Sequence, residues 1–200
     1  GWDELARTME LLRSIAPGVF TIADAKRADI GSTNAGYVRA LFDELGFDAV
    51  TLHPYLGAEA LRPFLEREDK ACIVLCRTSN PGAGELQDLD VDGVPLWETV
   101  ATRVRDAWTE KGHCLLVVGA TYPAELARAR ELCPDLAFLV PGVGAQGGDA
   151  AAVVTNGLAA NGRGLLINSS RGVIFADDPA AEAKALRDEI RAAVAAVAGS

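Results

Sequence analysis

The sequence predicts an α/β fold of the TIM (β/α)8 barrel class, with about the last six βα units present in its 200 residues. Three observations predict it. Short, nearly continuous apolar runs alternate with amphipathic stretches, as in a parallel sheet covered by helices on both faces. Every unusual polar or glycine-rich motif falls just after an apolar run and none just after a helix, and barrel sites lie at the carboxyl ends of strands. No G-x-G-x-x-G turn follows a first strand, which argues against a doubly wound open sheet. A complete barrel takes ~250 residues. The reading is therefore one barrel domain over residues 1–200 that lacks the first two βα units, expected ahead of Gly1.

Each element follows from local pattern. Asp3 to Ala16 carries Leu5, Met9, Leu12 and Ile15 at helical spacing, and Pro17-Gly18 ends it. Val19–Asp24 is a short apolar strand. Val38, Leu41, Phe42 and Leu45 then form an i, i+3, i+4, i+7 stripe, with Thr33 or Asn34 placed to cap the helix and Gly46 to stop it. A strand from Ala49 to Leu52 precedes a helix over Ala58 to Arg67, and Cys72–Cys76 is the most apolar strand. Glu85 to Gly93 reads as polar and irregular. Helix Leu96–Lys111 presents Trp97, Val100, Val104 and Ala107 on one face. Strand Leu115–Gly119 leads to Pro123, suited to the first turn of helix Ala124–Cys133. Strand Ala137–Val140, helix Ala150–Ala160, strand Leu165–Asn168 and a last helix from Pro179 to Ala198 complete the order. That last helix is expected to bury Leu186, Ile190, Val194 and Val197.

Composition narrows the function. Half the residues are hydrophobic, enough for a real core. A net charge of -9 argues against nucleic acid or an anionic membrane as partner. A local nest of amides with one arginine can still hold an anionic small molecule. No apolar run approaches transmembrane length and the first residues do not read as a signal peptide, so a cytoplasmic location is expected. Cys72, Cys76, Cys114 and Cys133 lie in apolar segments and read as reduced core thiols rather than a metal site. Trp2, Trp97 and Trp108 fall on helices and read as packing residues.

Two features carry chemistry. Asp24 and Lys26 lie two residues apart at a strand end, where both face one side, and Asp29 follows in the next loop. The plain reading is a surface ion-pair cluster. The sharper one is a proton-transfer site, in which a lysine held among carboxylates delivers a proton to carbon. The second feature is a pair of loops. Pro141-Gly-Val-Gly-Ala-Gln146-Gly-Gly148 follows the penultimate strand, and Asn168-Ser-Ser170-Arg171-Gly172 follows the last. These are the loops where barrels commonly hold phosphate, with Arg171 as bidentate donor, Gln146 as neutral donor and backbone amides completing a nest. Ser79 ends the third visible strand and can hydrogen-bond a polar ligand, but no histidine is placed to activate it as a nucleophile. His53 ends a strand near the expected pocket and His113 starts one. No metal cluster, redox motif or nucleotide P-loop is present.

Asp24-Ala-Lys26-Arg-Ala-Asp29-Ile30-Gly-Ser-Thr33 resembles the D-x-K-x-x-D-I-x-x-T signature of orotidine 5′-phosphate decarboxylases. The resemblance continues in order through Ser79-Asn-Pro-Gly82, the Pro141–Gly148 loop and the Arg171 loop, and is nearest the longer bacterial branch. It implies cofactor-free decarboxylation of orotidine 5′-phosphate to UMP in de novo pyrimidine biosynthesis, without metal. Lys26 would protonate C6, and Asp24 would sit against the substrate carboxylate and help hold Lys26. Asp29, with Ile30 and Thr33 beside it, would serve the partner's site in a homodimer with shared active sites. Ser79 would contact the pyrimidine, and Gln146 and Arg171 the phosphate, with Pro141 and Ser170 also among the substrate-binding residues. The family's first two strands also supply a ribose-binding aspartate and a second lysine, and this chain starts after both. Residues 1–200 alone are therefore expected to be inactive or strongly impaired, with two exposed sheet edges open to association. The competing readings are a Mg2+-dependent sugar-phosphate decarboxylase or aldolase of the same superfamily, and a truncated phosphate-binding barrel without chemistry.

Overall fold

Apolar runs only a few residues long cannot bury themselves, and here they do so by pairing edge to edge under a cover of helices. The computed structural model describes residues 1–111, 113–144 and 147–199. The chain divides into two compact units, Gly1–Leu75 with Ala107–Cys114, and Cys76–Asp106 with Leu115–Ser200. The main strands are parallel and hydrogen-bond in the order in which they occur in the sequence, and a short hairpin forms a separate two-stranded sheet.

The first unit opens with helix α1 (Trp2–Ile15) and continues through β1 (Ile22–Arg27), α2 (Gly31–Val38), β2 (Ala49–Leu52) and α3 (Gly57–Leu65) into β3 (Ala71–Arg77). Helix α2 runs on as a π-helical stretch, Arg39–Glu44, and Gly46 ends it at φ +67°, a conformation glycine adopts without strain. The predicted stripe is the buried one: Val38, Leu41, Phe42 and Leu45 all lie in the core, where Phe42 meets Phe64 edge to face at 6.2 Å. Strand β2 is buried along its whole length, and Ala49 to Leu52 pair in register with Ala71 to Val74.

Four expectations for this unit change. The first strand is not Val19–Asp24. Val19 and Phe20 are about half exposed, and the sheet instead carries on through Lys26 and Arg27. Helix α1 buries only Met9, while Leu5 and Ile15 face outward, so its stripe has a cover on one turn alone. Neither Thr33 nor Asn34 caps α2: Ile30 is the N-cap residue and Asn34 lies inside the helix, fully buried. Trp2 is 51% exposed, unlike the buried Trp97 and Trp108, because it stands in the first turn of α1 where nothing overlies it.

The second unit holds the end of β3, then α4 (Gly84–Gln87), β4 (Asp90–Val91), β5 (Val94–Pro95), α5 (Leu96–Arg103), most of β6 (His113–Val118), α6 (Pro123–Leu132), β7 (Phe138–Pro141), α7 (Ala150–Gly157), β8 (Leu165–Asn168), α8 (Arg171–Ile174) and α9 (Pro179–Ala198). The segment expected to be irregular thus contains a helical turn and a hairpin. Its turn residue Asp92 sits at φ +55°, and Gly93 follows at +89°. Ala107 is exposed rather than on the packed face, because helix α5 passes into a π-helical turn at Val104 and the face rotates. The core contains Val104, Leu116, Val118, Leu126 and Phe138. Arg130 lies 3.9 Å over the Phe138 ring and donates to the carbonyls of Gly157, Leu136 and Gly164, tying helix ends to strand starts. Helix α9 is capped by Asp178, which accepts from Ala180 and Ala181 at 3.0 Å. Its Leu186, Ile190, Val194 and Val197 are half-buried rather than buried, since α9 packs on α7 and α8 along one side only.

Candidate active site

The carboxyl end of β1 is where the charges gather. Ala23 pairs with Val50 and Arg27 with Leu52, so Asp24, Ala25 and Lys26 stand opposite the single residue Thr51. This bulge is what brings both charged side chains to one place, and it sets Lys26 at φ +46°, a left-handed conformation that a lysine adopts only at a cost of ~1–2 kcal/mol. Lys26 Nζ donates to Asp24 Oδ1 at 2.6 Å, and the two side chains are 54% and 66% exposed. An ion pair so exposed adds little stability, at most ~1 kcal/mol.

Thr51 was not among the expected site residues, yet it completes the group. Its Oγ1 accepts from the Lys26 backbone N–H at 2.9 Å and donates to Asp24 Oδ1 at 3.0 Å. The available signal was a hydroxyl inside the otherwise apolar run Ala49-Val-Thr51-Leu52. Asp29 is set apart from the pair. Its Oδ1 accepts from the Ile30 N–H at 2.7 Å, and the buried Asn34 fixes its backbone by accepting from Asp29 N–H and donating to Asp29 O. Among the described residues Asp29 forms no ion pair with Lys26. Ile30 is 62% exposed and Thr33 half-buried. His53 spends its ring on the Ala28 carbonyl at 3.1 Å and so braces this loop rather than offering a free base.

In the second unit, β3 ends on a loop held by several side chains. Gln87 accepts from Thr78 N–H at 3.0 Å and donates to Thr78 Oγ1 at 2.8 Å. Arg77, 6% exposed, pairs with Asp88 at 3.1 Å and Glu125 at 3.5 Å and lies 4.8 Å over the Tyr122 ring. Ser79 is half-buried against the end of β6, where a Cβ on Gly119 would come within 2.8 Å of Ser79 Cβ. Only glycine admits that approach.

The two loops after β7 and β8 are brought side by side by strand pairing, Pro141 standing opposite Asn168. A Cβ at Gly144 would lie 3.8 Å from Ser169 Oγ, and one at Gly172 2.9 Å from the same atom. Pro141 is half-buried, while Ser170 and Arg171 are exposed. Asn168 donates to Ser170 Oγ at 3.2 Å. Among the described residues Arg171 has no acidic partner, which leaves its guanidinium for an anion. The expected nest of free amides is corrected in part. The Gly144 and Gly148 N–H groups donate within the loop, to Gly148 and Gly142 carbonyls, and Gly147 donates to Gly144, so these amides shape the loop. Gln146 lies outside the described residues.

The first unit carries a left-handed lysine paired with an aspartate at a strand end, the second carries glycine- and serine-rich loops after two paired parallel strands, and both are built of βα units. Among the described residues no group of His, Cys, Asp and Glu can hold a metal ion. The profile of the Orotidine 5'-phosphate decarboxylase / HUMPS family matches residues 2–186, and the chain belongs to that family. It is 49% identical over 185 residues to the orotidine 5'-phosphate decarboxylase of Janthinobacterium sp. (strain Marseille), covering 92% of this chain and 68% of the relative. It is 50% identical to that of Roseiflexus castenholzii, covering 98% of this chain and 74% of the relative. The solved Leishmania donovani OMP decarboxylase superposes with a TM-score of 0.90 at 44% identity, over 96% of this chain and 74% of that one.

Proposed function

We propose that this chain carries the chemistry of an orotidine 5′-phosphate decarboxylase acting in pyrimidine biosynthesis. The observation that carries the reading is the Lys26–Asp24 pair on its bulge, an ammonium fixed at 2.6 Å from a carboxylate on an exposed strand end. In the reaction the bond between C6 and the carboxylate breaks, carbon dioxide leaves, and the electron pair stays on C6. The Lys26 ammonium gives its proton to that carbon and is recharged from solvent. Asp24 faces the departing carboxylate and orients Lys26. Charge placed in advance of the reaction stabilises the transition state without reorganisation at the moment of bond breaking.

The remaining roles follow the same reading. Ser79 contacts the pyrimidine, Gln146 and Arg171 bind the phosphate, and Pro141 and Ser170 line the substrate on the same two loops. Asp29, with Ile30 and Thr33, serves the neighbouring subunit of a homodimer. The exposed Ile30, and an Asp29 that among the described residues pairs with the Ile30 N–H and not with Lys26, support that assignment. A cytoplasmic location fits the biosynthetic role, and no helix among the described residues is long and apolar enough to cross a membrane.

The test is UMP formation from orotidine 5′-phosphate with and without a chelator. It is run on residues 1–200 and on the same chain extended at Gly1 by two βα units of a relative. The extended chain forms UMP irrespective of chelator and loses that activity on Lys26→Ala. Turnover that depends on Mg2+, or that favours a sugar phosphate, would overturn the reading. UMP binding without turnover in both forms would leave a binding barrel.

A further inference from the structure

We infer that Thr51 is a positioning residue for the reaction, and that its one hydroxyl fixes both the backbone and the acid partner of Lys26; this rests on the decarboxylase reading. Three hydrogen bonds and one covalent link close a ring. Lys26 N–H donates to Thr51 Oγ1 at 2.9 Å, Thr51 Oγ1 donates to Asp24 Oδ1 at 3.0 Å, and Lys26 Nζ donates to that same oxygen at 2.6 Å. The covalent chain from Lys26 N to Nζ completes it. The Ala23 carbonyl is the other acceptor within reach of Thr51, at 3.5 Å, and the hydroxyl has one proton. The shorter contact takes it.

Three physical points make the hydroxyl matter. Thr51 is 1% exposed, so its proton is not shared with water and has to be spent on a protein acceptor. As a β-branched residue in a strand it has a stiff χ1, which turns a hydrogen bond into a fixed direction. The left-handed Lys26 persists only because its surroundings over-determine it, and the Thr51 hydroxyl is the acceptor its N–H finds in the bulge. Valine has nearly the same shape but leaves the Lys26 N–H without this acceptor and lets the Asp24 carboxylate turn.

Thr51→Val and Thr51→Ser in the chain extended at Gly1 test this. Thr51→Val lowers kcat on the order of 10- to 100-fold with KM changed by less than about threefold, because the phosphate contacts are untouched while the proton donor is misplaced. Thr51→Ser recovers most of the rate. Hydrogen exchange at the Lys26 amide speeds up in Thr51→Val and returns to the wild-type rate in Thr51→Ser. If Thr51→Val does not melt cooperatively, Thr51→Ala is judged by the same two readouts. Wild-type kcat in the hydroxyl-free variants overturns the inference, as does a lost rate with Lys26 amide protection intact. An extended wild-type chain without turnover counts against the decarboxylase reading, and amide exchange with its rescue by serine then decides the role of Thr51.

Discussion

Two cationic clusters show how differently one chain uses charge. At the end of β1, Lys26 and Asp24 are more than half exposed, and the lysine is held in a strained backbone conformation. At the end of β3, Arg77 is 6% exposed, pairs with two carboxylates and stacks on Tyr122. The first arrangement contributes almost nothing to stability and keeps its proton accessible. The second braces the loop that carries Ser79 and loses much if broken, because a buried pair leaves an uncompensated partner. Exposure, more than charge itself, separates a cluster open to a ligand from one that braces a loop.

The contrast is broken most directly at Lys26. In the chain extended at Gly1, Lys26→Ala lowers kcat for orotidine 5′-phosphate by about 10⁴-fold, ~5 kcal/mol, while the melting temperature stays within about 3 °C. Steady-state kinetics and a thermal melt check both, and a fall in stability matching the fall in rate would dissolve the distinction. Arg77→Met runs the opposite way and costs ~2 kcal/mol in urea unfolding, below the full buried-pair penalty because Asp88 is 50% exposed. The loss is smaller in an Asp88→Asn background if the two residues are coupled.

Arg171→Ala sharpens the comparison from the ligand side. UMP affinity falls about 30-fold, ~2 kcal/mol, by titration calorimetry with the unfolding midpoint unmoved. Unchanged affinity would remove Arg171 from the phosphate site. Lys26→Gly is more stable than Lys26→Ala by ~1 kcal/mol, since glycine takes φ +46° without strain. Equal stability would mean that the bulge relaxes once lysine is gone.

The smallest effect is in the core. Burial pushes the Cys114 thiol up from 9.0 to about 11, so the folded chain keeps a proton that the unfolded chain gives up first. Its contribution is fully present below pH 9.0 and is lost as pH rises towards about 11. By pH 9.5 the loss is under ~1 kcal/mol. Denaturant midpoints between pH 8 and 10 show a shallower decline in Cys114→Ala.

Much of the site was legible because its residue types are unusual where they stand. Asp24 and Lys26 interrupt an apolar run, and glycines crowd the loops after β7 and β8. Thr51 was hidden because a threonine in a strand is ordinary, and its meaning depends on a residue 25 positions away. The free-amide nest was overstated because backbone donors look alike in sequence, and only the folded loop shows which are spent on their neighbours. The outward face of α1 and the half-covered face of α9 were misjudged for a related reason. A stripe reveals that a helix has an apolar side, not how completely another element covers it.

The sequence by itself determined the parallel βα order, the strand ends where charged and glycine-rich motifs stand, and the family. Local periodicity and residue type express those things directly. The tertiary structure alone decided the bulge, the left-handed Lys26 and the Thr51 hydroxyl that joins Lys26 to Asp24. These arise from the register between β1 and β2, in which three residues face one, and register is a property of two segments together rather than of either alone.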